Sequence, residues 1–122
     1  MPLDPARYAE LFRSESQDQL ASINRALLTL ESEHEGHTPT AAVAEVFRAV
    51  HTMKGMSATM GYSALAEFAH EFESLLDRMR GAGGRVSQPV MDALFGAADA
   101  LESGVAEASE SALRSGAMTS AL

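Results

Sequence analysis

Apolar residues recur every three or four positions along four stretches of the chain, which is the period of an amphipathic α-helix. Glycine, proline or a short polar run separates each stretch from the next. These signals predict four helices, over about residues 5–33, 38–60, 63–80 and 87–104. Gly61 is the stop signal of the second helix, and Gly104 is predicted to bend or end the fourth.

Four amphipathic helices with short connections predict an all-α fold, an antiparallel four-helix bundle. The residues after 105 are only weakly amphipathic and allow a short fifth C-terminal helix. Residues 116–122 are predicted to be a frayed tail or the start of a linker. The length of 122 residues favours a single domain over 1–122, with an ordered bundle over about 5–115.

The composition narrows the class of partner. Hydrophobic residues make up 46% of the chain and charged residues 21%, which is typical of a globular protein. The net charge of −8 and the scattered lysine and arginine residues argue against nucleic acid as a partner. No apolar run is long enough to span a bilayer, so no direct membrane contact is expected. The absence of cysteine and of a visible secretory signal fits a cytoplasmic location.

The candidate chemistry centres on His51 in the second helix. With Val50 facing the core, a step of about 100° per residue places His51 on the flank of the helix. The same construction places Glu73 on the matching flank of the third helix. His51 lies eleven residues before Tyr62 and Glu73 eleven after it, so the two side chains are expected at one height in one groove. The same count pairs Lys54 with His70.

This arrangement is suited to a histidine that carries a phosphoryl group. A carboxylate that accepts a hydrogen bond from Nδ1–H fixes the imidazole tautomer and leaves Nε2 as the nucleophile. Lys54 offsets the charge of the phosphoryl group. Gly55 sits one turn from His51, where a larger side chain is expected to crowd the imidazole. No glycine-rich phosphate loop is present, so the ATP that donates the group must be held by another domain or protein.

Three segments of the sequence carry a family resemblance. Residues 51–62 read HTMKGMSATMGY, residues 46–50 read VFRAV, and residues 69–77 read AHEFESLLD. Together these segments resemble the histidine phosphotransfer (HPt) domain, in particular the N-terminal P1 domain of the chemotaxis kinase CheA. The resemblance spans nearly the whole chain.

The resemblance implies a function as well as a fold. His51 would accept the phosphoryl group from the ATP-binding domain of a CheA-type kinase and pass it to an aspartate in the receiver domain of a response regulator. Glu73 matches the glutamate that orients the imidazole, and Lys54 and His70 match supporting polar residues. No cofactor is implied in this domain, because ATP and Mg belong to the kinase domain. The domain alone is then the phospho-acceptor substrate of a protein histidine kinase.

Other functions stay open at this point. The chain fits either a fragment of a longer kinase or a stand-alone HPt relay protein. A non-catalytic helical adaptor, with His51 incidental, is a further alternative. A metal-binding bundle requires Glu-x-x-His pairs on two helices, and within the predicted helices only Glu67 with His70 has that form. His34 and His37 form a pair without a third ligand at helical spacing, so no metal site is predicted.

Overall fold

A computed structural model of the protein describes residues 4–32, 40–82 and 86–121. These residues form four helices and no strand, which confirms the all-α four-helix bundle. The helices are α1 (Pro5–Ser32), α2 (Thr40–Thr59), α3 (Ser63–Ala82) and α4 (Gln88–Ala121). α2 packs closely on α3, and α1 packs on both α2 and α4, whereas α3 and α4 share much less contact. The predicted loop over 33–38 lies outside the described residues.

Local hydrogen bonds set the ends of the helices. Asp4 caps α1, since its Oδ1 accepts from the backbone N–H of Ala6 at 3.2 Å. Ser87 caps α4 in the same way, through the N–H of Val90 at 3.4 Å. Both caps place an oxygen on backbone donors that have no partner inside the helix.

The turn between α2 and α3 is a Schellman motif. Gly61 adopts a φ of 76°, which a residue without a Cβ reaches at little cost. The N–H of Tyr62 donates to the carbonyl of Ser57 at 2.9 Å, and that of Gly61 donates to Ala58 at 3.0 Å. Gly61 therefore ends α2 as predicted, and the tight turn brings α2 and α3 into an antiparallel pair.

A single apolar core runs between the helices. Tyr62 packs edge-on against Phe12, with ring centroids 5.0 Å apart, and so ties the α2–α3 turn to α1. The largest fully buried apolar side chains come from all four helices. They are Ile23, Leu27, Val46, Val50, Met53, Leu76, Leu94 and Leu101.

The buried stripe of α1 differs from the one that its apolar residues predict. Tyr8 and Leu11 are 44% and 46% exposed, while Ala9, Phe12 and Ser16 are buried. The stripe therefore passes through the small residues Ala9 and Ser16 as well as through Phe12. Ser16 lies within the polar run over residues 14–19, so this run does not interrupt the contact of α1 with the core.

α4 continues without a break through Gly104 to Ala121, so the fourth helix does not end at that glycine. The additional fifth helix that the sequence allowed is instead the second half of α4. A Cβ at position 104 would lie 2.8 Å from Cδ1 of Leu65. Gly104 therefore permits close contact between α3 and α4, and a side chain there would require Leu65 or the helices to shift.

Candidate functional site

His51 lies on the flank of α2, where its neighbours in sequence fix its direction. Val50 and Met53 are fully buried, so the helix is oriented by its apolar face and His51 points to the edge of that face. Its side chain is 62% exposed. An imidazole in this position is accessible to another protein without any movement of the bundle.

Glu73 on α3 contacts the imidazole directly. Its Oε2 lies 2.5 Å from Nδ1 of His51. An ionised carboxylate can only accept hydrogen bonds, so the proton of this pair belongs to Nδ1. Nε2 is thereby left with its lone pair, and it is the ring nitrogen that can act as a nucleophile. The structure thus brings together His51 and Glu73, which their equal spacing on either side of Tyr62 predicts to lie at one height.

Lys54 contacts the second oxygen of the same carboxylate. Its Nζ donates to Oε1 of Glu73 at 3.0 Å, and its side chain is only 28% exposed. The count from Tyr62 pairs Lys54 with His70 in height, but the lysine side chain donates to Glu73. His70 is exposed and makes no hydrogen bond to His51, Lys54 or Glu73 in the described part of the chain.

The two donors determine the charge state of Glu73. Its side chain is 15% exposed, and burial disfavours the ionised form. The hydrogen bonds from Lys54 and His51, together with the positive charge of Lys54, outweigh burial, so the pKa of the Glu73 carboxyl lies below its usual value. The carboxylate therefore remains ionised at neutral pH.

Two residues near His51 were not assigned to the site by the sequence. Phe47 lies one turn before His51, and its ring is nearly parallel to the imidazole, with an angle of 8° and a centroid separation of 6.4 Å. The guanidinium carbon of Arg80 lies over the Phe47 ring, 4.7 Å from its centroid. The i, i+4 spacing of Phe47 and His51 was a visible signal, whereas the arrival of Arg80 from the end of α3 depends on tertiary packing.

Gly55 leaves an open surface next to His51. A Cβ added at this position would meet no atom within 4 Å. The expectation that a larger side chain crowds the imidazole is thus not met for the first added carbon. Nothing in the described part of the chain requires glycine here, and the open space faces outward.

The described residues contain no group of three or more histidine, cysteine, aspartate or glutamate side chains that could hold a metal ion. His34 and His37 lie outside the described residues. Among the described helices, none is long and apolar enough to cross a membrane.

The fold and the site together define a helical bundle in which the accessible imidazole of His51 is hydrogen-bonded to Glu73. The family model of the Hpt domain matches residues 7–120, so the chain belongs to the Hpt domain family. The chain is 42% identical over 100 residues to the chemotaxis protein CheA of Bacillus subtilis, covering 82% of this chain and 14% of that protein. It is 38% identical over 95 residues to CheA of Halobacterium salinarum, covering 78% of this chain and 14% of that protein.

Solved structures agree with this assignment. The CheA phosphotransferase domain from Thermotoga maritima matches with a TM-score of 0.74 and 32% identity, covering 84% of this chain and 94% of that one. The phosphorylated P1 domain of CheA3 from R. sphaeroides, in complex with CheY6, matches with a TM-score of 0.77 and 30% identity, covering 87% and 80%. The bundle therefore has the fold of CheA P1 domains, although the chain spans only a small part of the full-length relatives.

Proposed function

We propose that the chain is the phosphoryl-accepting domain of a CheA-like phosphorelay, with His51 as the residue that carries the phosphoryl group. The observation that supports this most directly is the 2.5 Å contact between Nδ1 of His51 and Oε2 of Glu73 on an otherwise accessible imidazole. This contact leaves Nε2 as the only ring nitrogen with a free lone pair. The relatives at 42% and 38% identity are chemotaxis proteins CheA, which supports the same pathway for this chain.

Phosphorylation proceeds by attack of Nε2 on the γ-phosphorus of ATP. The N–P bond forms while the bond from that phosphorus to the β–γ bridging oxygen breaks, and ADP leaves. The proton on Nδ1 stays in place, so the phosphorylated ring carries a positive charge. Glu73 balances that charge through its hydrogen bond, which makes its interaction stronger in the product than in the starting state.

Transfer onward restores the site without any loss of protons. A carboxylate oxygen of an aspartate on the response regulator attacks the phosphorus, the N–P bond breaks, and its electron pair returns to Nε2. ATP and Mg²⁺ are held by the kinase domain, and this domain contributes no cofactor. The partners are therefore a CheA-type ATP-binding domain and a receiver domain, like the CheY6 that accompanies the CheA3 P1 domain.

The remaining site residues have supporting roles in this proposal. Lys54 holds Glu73 through its hydrogen bond to Oε1. Its positive charge also offsets the negative charge of the incoming phosphoryl group. Gly55 leaves room beside His51 for the partner to approach. His70, exposed one turn before Glu73, is a supporting polar residue on the outer surface of α3.

Phosphorylation by a CheA-type kinase domain with γ-labelled ATP tests the proposal. We expect the domain to gain an acid-labile, base-stable phosphate, which is lost in His51→Gln and kept in His70→Gln. The label should then move to a receiver domain from the wild-type and His70→Gln proteins, and His51→Gln should have no label to transfer. A wild-type domain that gains no such phosphate, or a His51→Gln variant that gains it undiminished, would contradict the proposal and favour a non-catalytic adaptor.

A further inference from the structure

The imidazole of His51 is held at one atom by the glutamate. The hydrogen bond from Nδ1 fixes one distance to Glu73 but leaves the ring some rotation through its two side-chain torsions. Since the side chain is 62% exposed, few other contacts can restrict this rotation. A nucleophilic nitrogen reacts efficiently only when its lone pair is aimed at the phosphorus, so the orientation of the ring plane matters for the rate.

Phe47 supplies a second contact, at the face of the ring. The two rings are within 8° of parallel, and their centroids are 6.4 Å apart, inside the range of interacting aromatic pairs. Both residues lie on α2 at i and i+4, so the helix itself keeps them adjacent. A hydrogen bond at one edge and an aromatic ring at one face together define the plane of the imidazole.

Phe47 itself is only partly buried, so its own orientation needs support. The guanidinium of Arg80 lies 4.7 Å from its ring centroid, within the distance at which a cation and an aromatic face attract each other. Arg80 also stands in the last turn of α3, where any cation interacts favourably with the helix dipole. This second role needs no aromatic partner, so the two roles can be separated by experiment.

We propose that Phe47 and Arg80 are positioning residues for His51: the guanidinium of Arg80 holds the Phe47 ring, and the Phe47 ring holds the imidazole in the plane that aims Nε2 at the phosphoryl donor. The inference rests on the proposed phosphorylation of His51 for its kinetic consequence. Its structural consequence, a restricted imidazole, does not depend on that function.

The first test compares two arginines on the same helix. Arg80→Met removes the cation over Phe47, while Arg78→Met removes an exposed cation two residues away and serves as the matched control. We expect Arg80→Met to slow phosphorylation about two- to fivefold, the rate equivalent of one exposed cation–π contact. KM for the kinase domain should stay unchanged, and Arg78→Met should react at the wild-type rate. Equal rates in the two variants would overturn the proposal.

The second test separates positioning from the helix dipole. Phe47→Leu should slow phosphorylation, whereas Phe47→Tyr, which keeps the aromatic ring, should react at the wild-type rate. In the Phe47→Leu background, Arg80→Met should have no further effect on the rate, because the arginine acts through the ring. If Arg80→Met slows the reaction equally with and without Phe47, the arginine does not act through Phe47 and the proposal fails.

The third test uses the unphosphorylated domain. NMR signals of the His51 ring protons should lose the ring-current contribution in Phe47→Leu and change in Arg80→Met, but stay as in wild type in Arg78→Met. Far-UV circular dichroism verifies that each variant is folded. Unchanged His51 signals in folded Phe47→Leu would refute the positioning role even if the domain is phosphorylated. Altered signals in a domain that no kinase phosphorylates would support the contact while rejecting the proposed function.

Discussion

Lys54 donates a hydrogen bond of 3.0 Å to Oε1 of Glu73, the carboxylate oxygen that does not contact His51. One carboxylate thus joins a lysine on one side to the candidate nucleophile on the other. Because an ionised carboxylate with two partners has little freedom to rotate, the lysine fixes the acceptor that fixes the imidazole. Lys54 can therefore influence His51 without touching it.

Replacement of Lys54 by methionine tests this connection. Loss of the positive charge and of the hydrogen bond should raise the pKa of the Glu73 carboxyl. Phosphorylation should slow by roughly 10-fold, the smaller effect expected when a partner behind a ligand is removed. Carboxyl NMR titration and labelled-ATP kinetics measure the two effects. Arg48→Met, which removes an exposed cation from the same helix, is the control, and an unchanged Glu73 titration in Lys54→Met would mean that the contact does not form in solution.

Three helical glycines should respond differently to alanine. Gly55 and Gly96 lie inside helices, and an added Cβ would meet nothing within 4 Å at either. Gly55→Ala and Gly96→Ala should each increase the free energy of unfolding by about 1 kcal/mol. Gly104→Ala should decrease it, because the new methyl group would lie 2.8 Å from Leu65. Urea denaturation measures all three, and a stabilised Gly104→Ala would show that Leu65 or the neighbouring helices shift at little cost.

A longer side chain at position 55 tests whether the open surface there serves a partner. Gly55→Gln should slow phosphoryl transfer to the receiver domain by obstructing the approach to His51. Gly96→Gln adds the same side chain to an open site on α4 and should transfer at the wild-type rate. Single-turnover transfer from the phosphorylated domains compares the two. Normal transfer by Gly55→Gln would remove the steric role of this glycine.

Much of the fold and the meeting of His51 with Glu73 could be predicted from the sequence. Apolar periodicity fixes how each helix is rotated, and the tight turn at Gly61 fixes the register of α2 against α3. Lysine was harder to place than histidine, since its long side chain can reach across more than one turn of a neighbouring helix. Lys54 therefore reaches Glu73, although the count from Tyr62 pairs it with His70.

Two further features required the tertiary structure. Gly104 looks like a helix stop in sequence, but its role is the close contact with Leu65 on another helix, which no local spacing reveals. Arg80 approaches Phe47 from the last turn of α3, and cations are common at helix ends for electrostatic reasons alone. Nothing in the local pattern distinguishes an arginine over an aromatic ring from one exposed to water.

Ser57 offers a test of core polarity near the site. Its hydroxyl is fully buried and has no hydrogen-bond partner in the described part of the chain. Ser57→Ala removes a desolvated polar group, so it should be neutral or stabilising by about 1 kcal/mol. Ser74→Ala, at an exposed position of α3, reports the gain from helix propensity alone. Thermal unfolding of both variants checks the difference, and a clear loss of stability in Ser57→Ala would reveal a partner for the hydroxyl.

The pH dependence of stability tests the state of Glu73. Burial raises its pKa, but Lys54 and His51 lower the pKa by more than burial raises it. The folded-state pKa therefore lies below the unfolded value. A group of this kind contributes stability that is fully present above the unfolded pKa, about 4.3, and is lost as pH falls through the folded pKa. The part of the stability difference between wild type and Glu73→Gln that comes from this ionisation should therefore shrink below about pH 4.

Urea denaturation across this range measures that difference, with Glu71→Gln, at an exposed neighbouring position, as the control. The same Glu73 variant should still be phosphorylated, but roughly 10- to 100-fold more slowly, because His51 keeps its nucleophile and loses the group that orients it. Complete loss of phosphorylation would assign Glu73 a direct chemical step. A stability difference that stays constant down to pH 2 would show that the carboxylate is not stabilised by His51 and Lys54, and the site would then lack the electrostatic arrangement on which the proposed function depends.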